Sequence, residues 1–202
     1  VGPGYALLRP EYAAYRETHR PRDGRVDRVL VFFGGSDPRN MTGLTLEALS
    51  KSELRHLEVD VVVGANNPHR EKLEKQAEAR PKTVIYGPRP HLADLMAQAD
   101  LGLIGFGDAA YELAALGIPA VYLCRSEDDV QSASAFERAG MGISLGAASN
   151  GSQEGRTTSR CPIRVGLKCS FQASRHASPT TCSRRADQDA PTALAHARAA
   201  RS

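Results

Sequence analysis

The chain has 202 residues, with 26 basic and 23 acidic side chains, and this length suits one large domain or one domain with an appendage. No apolar run is long enough to span a bilayer, and residues 1–20 lack the apolar core of a signal peptide. We therefore expect a cytoplasmic protein with no transmembrane segment.

The basic charge is concentrated near one end of the chain. Residues 151–202 carry nine basic and three acidic side chains, whereas residues 1–150 carry 17 basic and 20 acidic ones. Acidic neighbours dilute the basic side chains of the earlier part, which argues against a nucleic-acid-binding surface. The four cysteines match no common zinc spacing, so we expect free thiols and no metal site.

Short apolar runs and helical periods alternate along the middle of the chain. The runs lie at 28–33, 57–63, 82–86, 99–104, 119–124 and 142–145. The helical candidates between them lie at 42–50, 68–80, 90–98, 108–116 and 130–139. Nearly continuous apolar runs are typical of strands buried on both faces. The alternation predicts an α/β fold with a single parallel sheet, a Rossmann-like domain over residues 28–146.

The two ends of the chain differ from this middle part. Residues 1–27 are interrupted by prolines and predict a linker-like segment with one short helix near residues 11–19. Residues 147–202 are poor in large aliphatic side chains and predict a low-complexity, disordered basic tail. The composition changes abruptly at residues 147–151, and a reading-frame shift in the source DNA would produce such a change.

A glycine-rich loop follows the first predicted strand. Gly34 and Gly35 would let backbone N–H groups approach an anion, the helix that follows would point its positive end there, and Ser36 would add a hydroxyl donor. The loop is neither a Walker loop nor a Gly-x-Gly-x-x-Gly fingerprint. A tight turn without a ligand is the alternative, because such turns favour glycine on steric grounds alone.

Two further polar loops follow the fourth and fifth predicted strands. Gly105 begins the first of these loops, and Glu112 lies one turn into the next helix, where a carboxylate could accept both hydroxyls of a ribose. Gln131 follows the fifth strand and could reach a phosphate or a sugar hydroxyl. An exposed or capping glutamate and an ordinary acidic helix start are the alternatives. The three loops are expected on one edge of the sheet, which favours a binding site there.

Several stretches together carry a family resemblance. Three stretches resemble the C-terminal half of a GT-B-type family. They are Tyr-Ala-Leu-Leu-Arg-Pro-Glu at residues 5–11, Phe-Gly-Gly-Ser-Asp-Pro at residues 33–38, and residues 105–119. This family contains the nucleotide-sugar hydrolase of pseudaminic acid biosynthesis and the spore-coat polysaccharide glycosyltransferase-like proteins. The resemblance covers about residues 4–146 and implies that the domain binds a UDP-linked sugar. The nucleotide-binding residues predicted in this way are Gly34, Gly35, Ser36, Tyr86, Gly105, Glu112 and Gln131.

The resemblance also implies what this chain does not supply. Family hydrolases cleave the bond between sugar and UDP with a histidine base in the N-terminal domain, and no residue here matches it. We therefore expect no catalytic residue, cofactor or metal in this chain, and a missing N-terminal domain or partner subunit. Whether the chain is an enzyme by itself stays open. The alternatives are a non-catalytic nucleotide-binding subunit, a nicotinamide-dependent oxidoreductase and an inactive pseudogene product.

The segments that follow the fourth and fifth predicted strands depart from the family pattern. The family usually has small residues and a Ser or Thr where this chain has Phe106, Asp108 and Ala109, and an Asn where it has Ser134. Asp108 would repel a diphosphate unless it faced away or paired with Arg39.

Overall fold

The computed structural model describes residues 7–17 and 24–147. Within these residues six helices alternate with six strands. The strands are β1 (Arg28–Phe32), β2 (Glu58–Val62), β3 (Thr83–Tyr86), β4 (Leu101–Ile104), β5 (Ala120–Cys124) and β6 (Gly142–Ala147). The helices are α1 (Pro10–Glu17), α2 (Met41–Leu49), α3 (Arg70–Glu78), α4 (Ala93–Gln98), α5 (Asp108–Ala115) and α6 (Glu127–Arg138).

The six strands form one parallel sheet in the order β3-β2-β1-β4-β5-β6. This arrangement confirms the α/β, Rossmann-like fold predicted from the apolar runs. The chain moves outward from β1 to β3 and then returns to place β4 beside β1. The connections that leave β1 and β4 therefore diverge, and a crevice is expected between them.

The helices cover the two faces of the sheet in two groups. Leu46 and Leu49 of α2 and Leu73 of α3 pack with valines of β1 and β2 on one face. Helices α1, α4, α5 and α6 contribute buried side chains to the other face. This division follows from right-handed crossovers, because the direction of travel across the sheet reverses at β4. Strands β4 and β5 are buried along their whole length, as nearly continuous apolar runs predict, whereas the edge strands β3 and β6 are partly exposed.

Helix α6 begins earlier than predicted. The helical period predicts a start at residue 130, whereas the helix begins at Glu127. The Ser126 hydroxyl accepts a hydrogen bond from the Asp129 N–H at 3.2 Å and thereby caps the helix. The acidic residues expected in a loop therefore form the first turn of α6.

Helix α4 begins later than predicted, at Ala93 instead of residue 90. Arg89 in the preceding loop forms an ion pair with Asp94 at 2.8 Å. This contact ties the loop to the first turn of α4, so the residues between them make a bend and not an extra helical turn.

A buried arginine joins the connections at the amino edge of the sheet. Arg80 is only 2 % exposed. Its guanidinium donates hydrogen bonds to the carbonyl oxygens of Leu49, Leu54 and Leu57 at 3.2, 2.8 and 3.1 Å. Burial lowers the pKa of Arg80. The side chain thus satisfies carbonyl groups at the end of α2 and in the segment after it, and we regard it as structural.

The structure describes only part of the two predicted segments that precede and follow the sheet domain in the chain. Helix α1 lies in the predicted linker-like segment 1–27 and packs against α4 and α5. The predicted tail starts at residue 147, and all of it beyond Ala147, including the suggested frame change, lies outside the described residues. No helix in the described ranges is both long and apolar enough to cross a membrane.

Candidate functional site

The candidate site lies at the carboxyl edge of the sheet, where β1 and β4 are neighbours. Three connections form this edge: residues 33–40 after β1, residues 105–107 after β4 and residues 125–126 after β5. Because all strands are parallel, these three connections emerge at the same edge. Open α/β sheets bind ligands in the crevice at such a reversal of strand order.

The loop after β1 has an open surface at its glycines. Gly34 adopts a φ of +85°, a conformation that side-chain-bearing residues rarely adopt. A Cβ atom added to Gly34 or Gly35 would meet no atom within 4 Å. Ser36 is exposed. The loop therefore leaves room for a ligand to approach its backbone.

The positive end of α2 is already occupied by a side chain of the same loop. Asp37 is 4 % exposed, and its carboxylate accepts hydrogen bonds from the N–H groups of Met41 and Thr42 at 2.8 and 2.9 Å. The Thr42 hydroxyl donates a third bond at 2.7 Å. This finding corrects the expectation that the start of α2 would face an anion. An anion in the crevice must use other donors.

The loop after β4 leads into a helix that lacks a side-chain cap. Gly107 is the N-cap residue of α5 and has no side chain to cap the helix, and no side chain within residues 7–17 and 24–147 accepts a hydrogen bond from the first-turn N–H groups. A Cβ atom on Gly107 would also meet nothing within 4 Å. Asp108 is the first helical residue of α5, and its side chain is exposed. The start of α5 therefore supplies the positive helix end that α2 does not.

Phe106 lies in the core and not in the crevice. Its ring is 5.4 Å from Tyr122 and 5.1 Å from Phe136 between centroids, in edge-to-face geometry. The side chain is 7 % exposed. The departure from the family pattern at this position therefore changes the packing between the sheet, α5 and α6, and leaves the backbone of Gly105 and Gly107 at the crevice.

Glu112 is half-buried on α5 and hydrogen-bonds to Tyr12 of α1. Burial raises the pKa of the Glu112 carboxyl, and the hydrogen bond from the Tyr12 hydroxyl opposes this rise. Tyr12 is 2 % exposed and packs in the core beneath α1, α4 and α5. Burial and the contact with Glu112 raise the pKa of Tyr12, so the phenol stays protonated and can donate.

The loop after β5 is linked to the loop after β1. Arg125 pairs with Asp129, with 3.6 Å between Nε and Oδ2. The Arg39 guanidinium donates a hydrogen bond to the carbonyl oxygen of Arg125 at 3.1 Å. Gln131 is exposed on α6, one turn after the helix begins.

Tyr86 lies apart from the crevice between β1 and β4. It ends β3, which is separated from β4 by two strands. Hydrogen bonding between its hydroxyl and Asp60 contributes to a raised pKa of Tyr86, after the larger effect of burial. Asp60 in turn pairs with Arg28, with 2.7 Å between Oδ2 and Nε, and Arg89 lies 5.5 Å from the centre of the Tyr86 ring.

The structure thus brings most of the predicted site residues to one edge. Gly34, Gly35 and Ser36 follow β1, while Gly105 and Glu112 follow β4. Gln131 follows β5, the next strand in the sheet, and Tyr86 stands at the far side of β1 and β2. In the described ranges, no group of His, Cys, Asp and Glu side chains is arranged to hold a metal ion.

The sequence is similar to two curated proteins. It is 30% identical over 147 residues to the spore coat polysaccharide biosynthesis protein SpsG of Bacillus subtilis, covering 72% of this chain and 43% of that protein. It is 32% identical over 131 residues to an uncharacterized protein of Methanocaldococcus jannaschii, covering 62% of this chain and 27% of that protein. The chain therefore spans less than half the length of these relatives. No protein-family model matches the chain.

Two solved structures share the fold. WaaG, a glycosyltransferase involved in lipopolysaccharide biosynthesis, matches with a TM-score of 0.51 and 18% identity, over 86% of this chain and 48% of WaaG. MurG of Acinetobacter baumannii matches with a TM-score of 0.50 and 16% identity, over 83% of this chain and 49% of MurG. The described fold is a GT-B C-terminal-like domain. The resemblance to spore-coat polysaccharide proteins noted in the sequence is thereby confirmed.

Three residues of this GT-B-like domain contribute to the site without having been predicted to do so. Gly64 lets the loops after β1 and β2 touch, because a Cβ atom there would lie 2.2 Å from the carbonyl oxygen of Gly35. Asp37 holds the loop after β1 on α2, and Tyr12 contacts Glu112. A glycine directly after the second apolar run was the available signal for Gly64. The Tyr12 contact joins residues 100 positions apart and left no local signal.

Proposed function

We propose that this domain binds the UDP part of a nucleotide sugar at the carboxyl edge between β1 and β4. The observation that carries the proposal is the combination of exposed glycine backbone with a helix end that no side chain caps. Gly35 and Gly107 have open space where a Cβ would be, and α5 starts at Gly107 without a capping side chain. Exposed N–H groups at a helix start are a recurring way of binding phosphate.

Glu112 would bind the ribose. An ionised carboxylate accepts two hydrogen bonds, which matches the paired hydroxyls of a ribose. The Tyr12 hydroxyl donates to the same carboxylate and opposes the effect of burial on its pKa. Tyr12 is thus proposed to keep Glu112 ionised and correctly oriented. Ser36 and Gln131 are exposed on either side of the crevice and would contact the phosphates or the sugar, and the base would lie toward the Tyr86 side.

The proposed reaction is hydrolysis or transfer of the sugar in surface-polysaccharide synthesis of the nonulosonic acid type. The homology to a spore coat polysaccharide biosynthesis protein supports this class. The catalytic base would come from outside the described residues, either from an N-terminal domain or from a partner chain. Holding the nucleotide on one domain and the base on another would let the cleft between them orient both reactants.

Calorimetric titration of the full 202-residue chain with UDP tests the proposal. We expect saturable binding of UDP, and none of ADP or NADH at equal concentration. Glu112→Gln should weaken UDP binding by about tenfold, because a neutral amide cannot accept from both ribose hydroxyls.

The matched control is Glu47→Gln, which changes an exposed glutamate of α2 and should leave UDP affinity unchanged. A folded protein that binds no UDP would contradict the proposal. Equal effects of the two substitutions would remove Glu112 from the site. Binding of NADH in preference to UDP would favour an oxidoreductase instead.

A further inference from the structure

The connection between β3 and α4, residues 87–92, reaches the proposed ribose-binding carboxylate. Tyr12 contacts both the Glu112 carboxyl and the backbone of Leu92, the last residue before α4. His91 interacts electrostatically with the same carboxyl. The base and the phosphates of a nucleotide leave the ribose at opposite ends. A nucleotide with its ribose on Glu112 and its phosphates at the start of α5 would therefore direct its base toward this connection.

Arg89 is held in this connection by two neighbours. Its Nη2 atom donates a hydrogen bond to Oδ2 of Asp94 at 2.8 Å. Its guanidinium carbon lies 5.5 Å from the centre of the Tyr86 ring, which is within the range of a cation–π interaction. The side chains of Arg89 and Asp94 are 32% and 28% exposed, so a ligand can reach the pair from solvent. The guanidinium is thus accessible, and its position is restricted before a ligand arrives.

Tyr86 supports Arg89 from below. The Tyr86 hydroxyl hydrogen-bonds to Asp60, and Asp60 forms an ion pair with Arg28, with 2.7 Å between Oδ2 and Nε. These contacts fix the tyrosine at the end of β3, and Arg89 lies over its ring. A base that approaches the connection from this side would therefore meet the guanidinium before it met the ring.

The chemistry of the pair suits an uncharged hydrogen-bond acceptor. The Asp94 carboxylate balances the charge of Arg89, which makes the pair better suited to a neutral base than to a further phosphate. A guanidinium carries five N–H donors and no acceptor. Uracil presents a carbonyl oxygen at position 4, where cytosine presents an amino group that can only donate. Both bases have a carbonyl oxygen at position 2, so only a contact at position 4 distinguishes them.

We infer that Arg89 selects the base of the bound nucleotide by donating a hydrogen bond to the O4 oxygen of uracil, and that Asp94 and Tyr86 are positioning residues for it. Cytosine in the same place would set its amino group against the guanidinium and leave donors unpaired on both sides. Sites built on a hydrogen bond discriminate strongly against an analogue that cannot make it. This inference rests on the proposed function, since it concerns base selection at the same nucleotide site.

Calorimetric titration of the full chain with UDP, CDP, uridine and cytidine tests the inference. The unmodified protein should bind UDP about tenfold or more tightly than CDP, and uridine more tightly than cytidine by a similar ratio. Arg89→Met keeps an unbranched apolar side chain but has no donor, so both ratios should fall to within about twofold of one. Arg89→Lys should retain part of the selectivity, because it keeps a donor and loses the planar fork. Asp94→Asn should reduce the ratios less than Arg89→Met, since the donor remains and only its restraint is weakened.

The control variant is Arg138→Met, at an exposed arginine in the last turn of α6, which should keep both ratios unchanged. Ratios in Arg89→Met as large as those of the control would overturn the inference. An equal weakening of UDP and CDP would also overturn it, because Arg89 would then contact the phosphates, the O2 oxygen or only its own connection. Equal binding of UDP and CDP by the unmodified protein would remove the base selection and leave the proposed function standing. A folded chain that binds none of the four ligands would remove the proposed function itself.

Discussion

At the residue scale, the contact between Glu112 and Tyr12 determines the properties of the proposed ribose-binding group. Glu112 is far enough into α5 to be half-buried, and burial by itself favours the neutral acid. Tyr12 comes from a separate helix and donates to the carboxylate. The ionised form that a diol requires therefore depends on α1, which precedes the sheet in the chain.

This contact predicts a pH dependence of nucleoside binding. Because burial raises the pKa of Glu112, uridine affinity should fall, as the pH is lowered, at a higher pH than an ordinary glutamate would give. In Tyr12→Phe the opposing hydrogen bond is lost, so the pKa of Glu112 should rise further and the fall should move to higher pH. Uridine is the suitable ligand, since it has no phosphate that titrates in this range.

The measurement is the uridine dissociation constant from about pH 8 to about pH 5 in both proteins. Tyr15→Phe on the same helix serves as the control, because it changes a tyrosine that is not among the groups shifting the pKa of Glu112. Superimposable pH profiles for Tyr12→Phe and the unmodified chain would show that the hydroxyl does not control Glu112.

At the element scale, the three helices that start at the carboxyl edge begin in different ways. Asp37 satisfies the start of α2, and Ser126 caps α6. Only α5, of these three, begins without a side-chain cap. The general rule that helix starts attract anions therefore applies to α5, because a side chain of the preceding loop already accepts hydrogen bonds from the starts of α2 and α6.

The Asp37 cap predicts a measurable contribution to stability. Asp37→Ala removes three hydrogen bonds to a buried carboxylate and leaves the Thr42 hydroxyl without its partner, so the free energy of unfolding should fall by about 2–3 kcal/mol. Asp108→Ala, at an acid that begins α5 without capping it, should change the free energy of unfolding by less than about 0.5 kcal/mol. Urea denaturation of the two variants measures the difference, and equal losses would contradict the capping role of Asp37.

At the scale of the whole molecule, the parallel order of the strands creates the site, and contacts at the opposite edge hold that order. Arg80 joins the end of α2 and the segment before β2 to the start of β3. The carbonyl groups of Leu49, Leu54 and Leu57 lie at the end of α2 and in the segment after it, where helical and sheet hydrogen bonds end. Arg80 therefore stabilises the β1–β2–β3 half of the sheet, at a distance from the crevice.

Replacing Arg80 should destabilise the fold without altering the nucleotide site directly. Arg80→Met would leave several buried carbonyl oxygens unsatisfied and should lower the free energy of unfolding by about 3 kcal/mol. Arg138→Met, at an exposed arginine, should cost less than about 0.5 kcal/mol. Thermal or urea unfolding of both variants checks this, and a stable Arg80→Met protein would refute the role of Arg80.

What the sequence by itself determined is the kind of fold and the edge that carries the site. Apolar runs of strand length, alternating with helical periods, require a parallel sheet covered on both faces, and the glycine-rich loops after the first and fourth runs must then emerge at one edge. These features depend on residues close together in the chain. They could therefore be predicted before any tertiary contact was known.

The tertiary structure alone decided how the side chains at that edge are used. The contact of Tyr12 with Glu112, the bridge from Arg39 to Arg125 and the packing of Gly64 on Gly35 all join residues distant in sequence. Whether Asp37 faces its own helix or the crevice depends on a left-handed backbone at that residue, with φ of 37°. No periodicity encodes such pairings, because they arise only when the packed sheet brings separate loops within hydrogen-bonding distance.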